Sequence, residues 1–125
     1  MENSLKLNAN GKIWIETRMG RFIGSGKIEL MEKIQRLGSI RQAAMEMQMS
    51  YRKAWGLIEQ MNQMAGIPLV ISQRGGKGGG QAVITEAGER FMALYKTYQE
   101  NFQAFLQSQS AFFETFEQVI SKKTE

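Results

Sequence analysis

The side chains able to do chemistry in this chain are few in kind. Its 125 residues include no histidine, no cysteine and no aspartate, and all twelve acids are glutamate. A Ser-His-Asp or Cys-His nucleophile cannot be assembled from such a set. Zinc held without Cys, His or Asp is not expected either. What remains is cationic. One concentration is Ser50-Tyr51-Arg52-Lys53; the other is RGGKGGG at 74–80, where Arg74 and Lys77 sit among five glycines. Hydroxyls, ammonium groups and unhindered backbone N–H groups suit phosphate oxygens, and a guanidinium also suits the edge of guanine. The expected chemistry is recognition of a polyanion, with no enzymatic step, no cofactor and no metal.

The charge distribution agrees. Residues 12–81 hold eleven Lys/Arg and five Glu, whereas residues 82–125 hold four Lys/Arg and six Glu. A basic first part and a slightly acidic second part imply different partners for the two. No apolar run approaches the roughly 18 residues of a membrane helix. The first residues carry no signal-peptide pattern. A cytoplasmic protein with no membrane partner is expected, and the length fits one domain with an extension.

The elements that must hold these cations follow from periodicity. Ile40, Ala43, Ala44 and Met47 recur at helical spacing, and Ala54, Leu57, Ile58 and Met61 repeat the pattern. Two short helices joined by a tight turn result. Ser39, with Gln42 three residues on, caps the first; Ser50 caps the second, which Gly66 and Pro68 end. Ala44 supplies the small residue where the helices cross. The turn position, usually Gly, is Gln48. Before this pair, a helix starting near Ser25 as its N-cap and stopping at Gly38 buries Leu30, Met31, Ile34 and Leu37. Earlier still, Leu5 and Leu7 alternate with polar residues, as do Ile13 and Ile15. A three-residue loop with Gly11 in the left-handed conformation predicts a hairpin over 5–16, with Leu7 opposite Ile13. Trp14 then falls on the far face as a surface or dimer contact.

After the helix pair, residues 69–72 and 81–84 read as two strands around the glycine-rich turn. Thr85 caps a long helix with an aromatic seam: Phe91, Tyr95, Tyr98, Phe102, Phe105, Phe112 and Phe116, at heptad-like spacing. A homodimer is its simplest use. A break near Ser108–Ser110 is left open. Helix-turn-helix, strand, basic turn and strand form the winged-helix order: the second helix enters the major groove and the wing reaches the backbone. A nucleotide phosphate loop is the rival reading of RGGKGGG, but Gly78 stands where that motif needs Ser or Thr.

GSIRQAAMEMQMSYRKAWGLIEQMN followed by GGKGGGQAVITEAGERF resembles the N-terminal DNA-binding domain of the ModE family, itself related to the winged helix of LysR-type regulators. The resemblance covers roughly residues 24–106. It implies a transcription regulator that binds a palindromic operator as a homodimer, through N-terminal strands and the long helix. ModE proteins usually continue into molybdate-binding domains marked by a SARNQ-like motif. Nothing after Leu106 resembles it, which suggests a stand-alone form and leaves room for a separate effector-binding chain.

The expected fold is mainly α with small β. Residues 1–106 form a winged helix-turn-helix domain: hairpin 5–16, helix-turn-helix 39–65, wing 69–84 and long helix 85–106. Residues 107–125 extend the dimer interface. The expected DNA contacts are Arg41 and Gln42 near the backbone, Ser50, Tyr51, Arg52, Lys53 and Gln60 on the second helix, and Arg74 and Lys77 on the wing. Arg52 or Lys53 reads guanine, and phosphate is the other use of each. Trp55 is a packed shoulder of the helix. The alternative function is a protein-interaction or architectural module that keeps the fold without reading sequence.

Overall fold

The computed structural model describes residues 5–73 and 81–123. Two compact units emerge: Trp14–Tyr95, and Met1–Ile13 together with Lys96–Glu125. The order is β1 (Trp14–Thr17), β2 (Gly20–Gly24), α1 (Ser25–Leu37), α2 (Ile40–Glu46), α3 (Tyr51–Ala65), β3 (Val70–Ser72), β4 (Ala82–Ile84) and α4 (Glu86–Lys123). This is the expected mainly helical fold with small β.

In the larger unit, Ile28, Leu30, Met31 and Ile34 of α1 meet Ile40, Ala43 and Ala44 of α2 and Ala54, Ile58 and Met61 of α3 in one core. Leu37, assigned to the buried stripe, is only half-buried. Gly38 ends α1 at φ 67°, donating its N–H to Ile34 O, and Gly66 ends α3 at φ 74°. Only glycine takes this left-handed geometry without a Cβ penalty. Gln48 takes it too, at φ 55°. The strain at this non-glycine is held by Gln48 N–H to Met45 O and Met49 N–H to Ala44 O. The cap expected at Ser25 is instead Gly24, which offers no side-chain hydrogen bond.

The hairpin differs from expectation. β1 pairs with β2, not with residues 5–8; Ile15 faces Ile23 and Thr17 faces Gly20. Arg18 and Met19 form the turn, and Gly20 follows at φ 116°. The register shifts after Ile15, leaving Phe22 as the extra residue. A bulge of this kind breaks the alternation of faces, so Phe22 and Ile23 are both buried, at 7% and 0% exposure. The Phe22 ring meets Phe91 edge-on at 5.3 Å. With β1 taken up by β2, the expected 5–16 hairpin with its three-residue loop ending in Gly11 does not form.

Residues 5–13 have another use. In the smaller unit, Leu7 N–H donates to Glu117 Oε2 at 2.9 Å and Ala9 N–H to Ser110 Oγ at 2.8 Å. The Phe102 ring lies over Gly11. The helix is continuous through Ser108 and Ser110, whose hydroxyls donate back to Phe105 O and Leu106 O. Bonding to the preceding turn keeps these serines in helix.

Candidate nucleic-acid interface

Helices α2 and α3 bring their first turns together. Ser39 Oγ accepts from Gln42 N–H at 3.1 Å, and Ser50 Oγ accepts from Lys53 N–H at 3.0 Å. Both caps are as expected, and each satisfies an amide that the helix itself cannot. Arg41 places its guanidinium 4.5 Å above the Tyr51 ring, and that ring meets Trp55 edge-on at 6.4 Å. Arg41, Ser50 and Tyr51 are thus one local cluster, with Trp55 the half-buried shoulder behind it. Gln42, Arg52 and Lys53 are exposed. None of Arg41, Arg52 and Lys53 has an ion-pair partner among the described residues.

The α1–α2 junction handles its charges differently. Glu46 lies 3.1 Å from Lys33 and 2.5 Å from Arg36. The hydrogen bond from Arg36, then that from Lys33, holds its carboxyl below the ordinary carboxylate range. The structure therefore neutralises the α1 cations Lys33 and Arg36 with Glu46 at the end of α2, and leaves the cations at the start of α3 without an ion-pair partner among the described residues.

Two contacts define which side of α3 is open. On one flank, Asn62 is a clamp: its Oδ1 accepts from Leu69 N–H at 2.8 Å and Val70 N–H at 3.3 Å, and its Nδ2 donates to Val70 O at 2.9 Å. This fixes β3, the first wing strand, to α3. On the other flank, Gln60 Oε1 accepts from Lys27 Nζ at 3.3 Å. At 3.6 residues per turn, Gln60 and Asn62 are about 160° apart around the axis. The arc between them, away from the core, carries Arg52, Gly56, Glu59 and Gln63, all exposed. Glu59, Gln63, Asn62 and Lys27 were not among the expected site residues. Glu59 and Gln63 follow Arg52 at helical spacing and were legible; the partners of Asn62 and Lys27 were not.

The wing strands pair as expected, Val70 with Ile84, Ile71 with Val83 and Ser72 with Ala82. Gln81 adds a bridge to Ser39, and Ala82 N–H donates to Gly38 O at 3.1 Å, tying the wing to the loop before α2. Thr85 caps α4, accepting from Gly88 N–H at 3.0 Å and donating to Pro68 O at 2.8 Å. Arg74 and Lys77 lie outside the described residues.

The aromatic seam is redistributed. Tyr95 is 2% exposed and packed within its own chain; Phe91 meets Phe22, and Phe102 covers Gly11. These three are engaged inside the chain because β2 and residues 5–13 supply apolar cover that the spacing alone did not reveal. Tyr98, Phe105, Phe112 and Val119, spaced by sevens, are 37%, 55%, 68% and 51% exposed, and Phe116 is 53% exposed.

Among the described residues no group of three or more His, Cys, Asp or Glu could hold a metal ion. None of their helices is long and apolar enough to cross a membrane.

Comparison with known proteins agrees with this geometry. Residues 26–89, which span α1 to the start of α4, match the family described as bacterial regulatory helix-turn-helix protein, lysR family. The molybdenum transport protein ModE of Azotobacter vinelandii is 37% identical over 92 residues, 74% of this chain and 34% of that protein. The DNA-binding transcriptional dual regulator ModE of Escherichia coli (strain K12) is 43% identical over 74 residues, 59% of this chain and 28% of that one. The molybdenum-pterin-binding protein MopB of Rhodobacter capsulatus is 42% identical over 78 residues, 62% of this chain and 29% of its own length. The chain thus spans about a third of the length of the curated relatives it matches. With its caps, its left-handed turn at Gln48 and its wing strands placed as such a domain requires, the chain belongs to the LysR family of bacterial helix-turn-helix regulators, as a DNA-binding domain of the ModE type.

Proposed function

We propose that this regulator reads a palindromic operator as a homodimer, with the open arc of α3 in the major groove. The observation that carries the reading is that arc itself. It is bounded by the wing strand β3 on one side and Lys27 of α1 on the other, exposes Arg52 at its first turn, and has cations that no carboxylate neutralises among the described residues. A guanidinium there can take guanine O6 and N7 together. Lys53, Ser50 and the Arg41 held on Tyr51 serve the phosphates that set the register. Glu59 and Gln63 continue the arc along the groove, Glu59 as an acceptor for cytosine N4. Gln60 stands at the edge of the arc. Arg74 and Lys77 would add backbone or minor-groove contacts from the wing.

Arg52→Ala should weaken binding to the preferred duplex by about 1–3 kcal/mol while changing binding to random duplex far less. Fluorescence anisotropy on both DNAs at one salt concentration reads the difference. Equal losses on the two would reassign Arg52 to the backbone.

The dimer reading is supported by the line Tyr98, Phe105, Phe112 and Val119, since large exposed apolar residues repeating every seven along a helix are the pattern of a coiled-coil seam. It predicts that Phe105→Glu halves the mass in solution light scattering; an unchanged mass would remove the seam. A dimer would set two α3 helices about one DNA turn, ~34 Å, apart or a multiple of it. Some relatives are named for molybdenum. For an oxyanion response in this protein, a separate effector-binding chain is the partner the reading supplies.

A further inference from the structure

Three cations cluster around the β1–β2 hairpin: Arg18 in its turn, Arg21 on β2, which packs against α1 and α3, and Lys27 in the first turn of α1, which reaches Gln60 on the flank of α3 opposite the wing. Arg18 and Arg21 are exposed, and none of the three has an ion-pair partner among the described residues. Glu16 faces Arg21 across the ladder, but its carboxylate instead accepts from Trp14 Nε1 at 2.8 Å. The indole so held carries the Arg21 guanidinium on its face, 4.1 Å from the ring centre. Stacking by the face leaves the edge of the guanidinium, where all five N–H groups point, free for an oxyanion. Lys27 is fixed as well. Its Nζ donates to Phe22 O at 2.7 Å and to Gln60 Oε1 at 3.3 Å, which leaves one of its three donors. Partial burial first, and the charge of Arg21 second, hold its pKa below the ordinary lysine range. The two positive groups are thus close enough to repel, and an anion between them would relieve that cost.

Continuity decides which anion. The Lys27–Gln60 bond joins this patch directly to the edge of the arc that faces the groove, as Asn62 joins the wing to the opposite edge. A helix lying in the major groove has a phosphate backbone on each side of it.

We propose that the β1–β2 hairpin is a second backbone arm, in which Arg18, Arg21 and Lys27 take duplex phosphates on the side of α3 opposite the wing. The assignment rests on α3 being the helix that enters the groove. Trp14 and Glu16 act as positioning residues for Arg21. The contacts carry no sequence information, so they add equally to the affinity for every duplex.

The test uses the whole chain and a random-sequence duplex, with affinity measured between about 50 and 200 mM salt. Each phosphate contact contributes about 0.9 to the slope of log affinity against log salt. Arg18→Gln with Arg21→Gln should therefore lower that slope by about 1.8, with the same thermal unfolding curve. Arg21→Lys keeps the charge and should keep the slope. Lys27→Gln lies on a different element and should lower the slope by about 0.9, which answers the question even if the double variant folds poorly. An unchanged slope in the folded variants overturns the proposal. So does an unchanged slope with a halved mass in light scattering, which would make the hairpin a contact with a second copy. Absence of duplex binding by the unaltered chain would overturn the reading of α3 as well, and so is distinguishable from failure of the arm alone.

Discussion

Gly88→Ala is expected to destabilise the larger unit by about 3 kcal/mol or more, the upper range for forcing an extra carbon into a packed site. A Cβ at this position would lie 2.3 Å from Leu69 O, 2.7 Å from Ile84 Cγ2 and 3.2 Å from Leu69 C. The first and third of these are backbone, and that backbone is pinned. Leu69 O accepts from Thr85 N–H at 2.9 Å, and Leu69 N–H is held by Asn62. Neither side can give without breaking the cap of α4 or the anchor of β3. The sign makes the experiment decisive. In an ordinary helix interior, Gly→Ala would stabilise by about 1 kcal/mol. Chemical denaturation of the two proteins separates these outcomes; a neutral or more stable variant would mean that α4 does not start against the wing as described.

Asn62→Leu should cost about 3 kcal/mol or more, at roughly 1 kcal/mol for each of three hydrogen bonds plus a penalty for any group left unsatisfied. Leucine keeps the branched four-atom skeleton of asparagine and removes its polar atoms, so the loss reports chiefly the polar clamp. The effect should also be local. Amide exchange at Leu69 and Val70 should accelerate more than exchange within α1, because only the wing loses its tie to α3. Asn62→Asp offers a finer check. It keeps an acceptor for both amides but turns a carboxylate oxygen toward Val70 O, so it should not recover the stability of asparagine. A loss under about 0.5 kcal/mol, the range of ordinary surface substitutions, would show that the clamp contributes nothing to the unit.

These two positions mark the limit of what the sequence makes legible. The helical pattern of Ile40–Met47 and Ala54–Met61, and the caps at Ser39 and Ser50, could be read directly because they depend on neighbours within a turn or two. Gln48 stood out as the poorest fit to its turn, and the backbone does adopt the left-handed conformation there. Asn62 and Gly88 depend on Leu69 arriving from another element, and nothing within either helix announces it. The hairpin failed for a related reason. The three-residue loop ending in Gly11 is a local signal, yet β1 pairs with β2, whose Phe22 and Ile23 are both buried. Tyr95 fitted the seam by spacing, but spacing does not tell an interface with a second chain from one within the first. Lys27 reaches α3 only through the fold, by its side-chain hydrogen bond to Gln60.

The reading of α3 carries the rest, and selection of bound duplexes from a random library at near-physiological salt tests it most directly. The account predicts enrichment of a two-fold symmetric sequence whose half-sites are about one helical turn apart or a multiple of it, with Arg52→Ala relaxing the choice at one position in each half-site. Salt-sensitive binding with no enriched sequence would contradict it, leaving a chain that grips the DNA backbone without reading the bases.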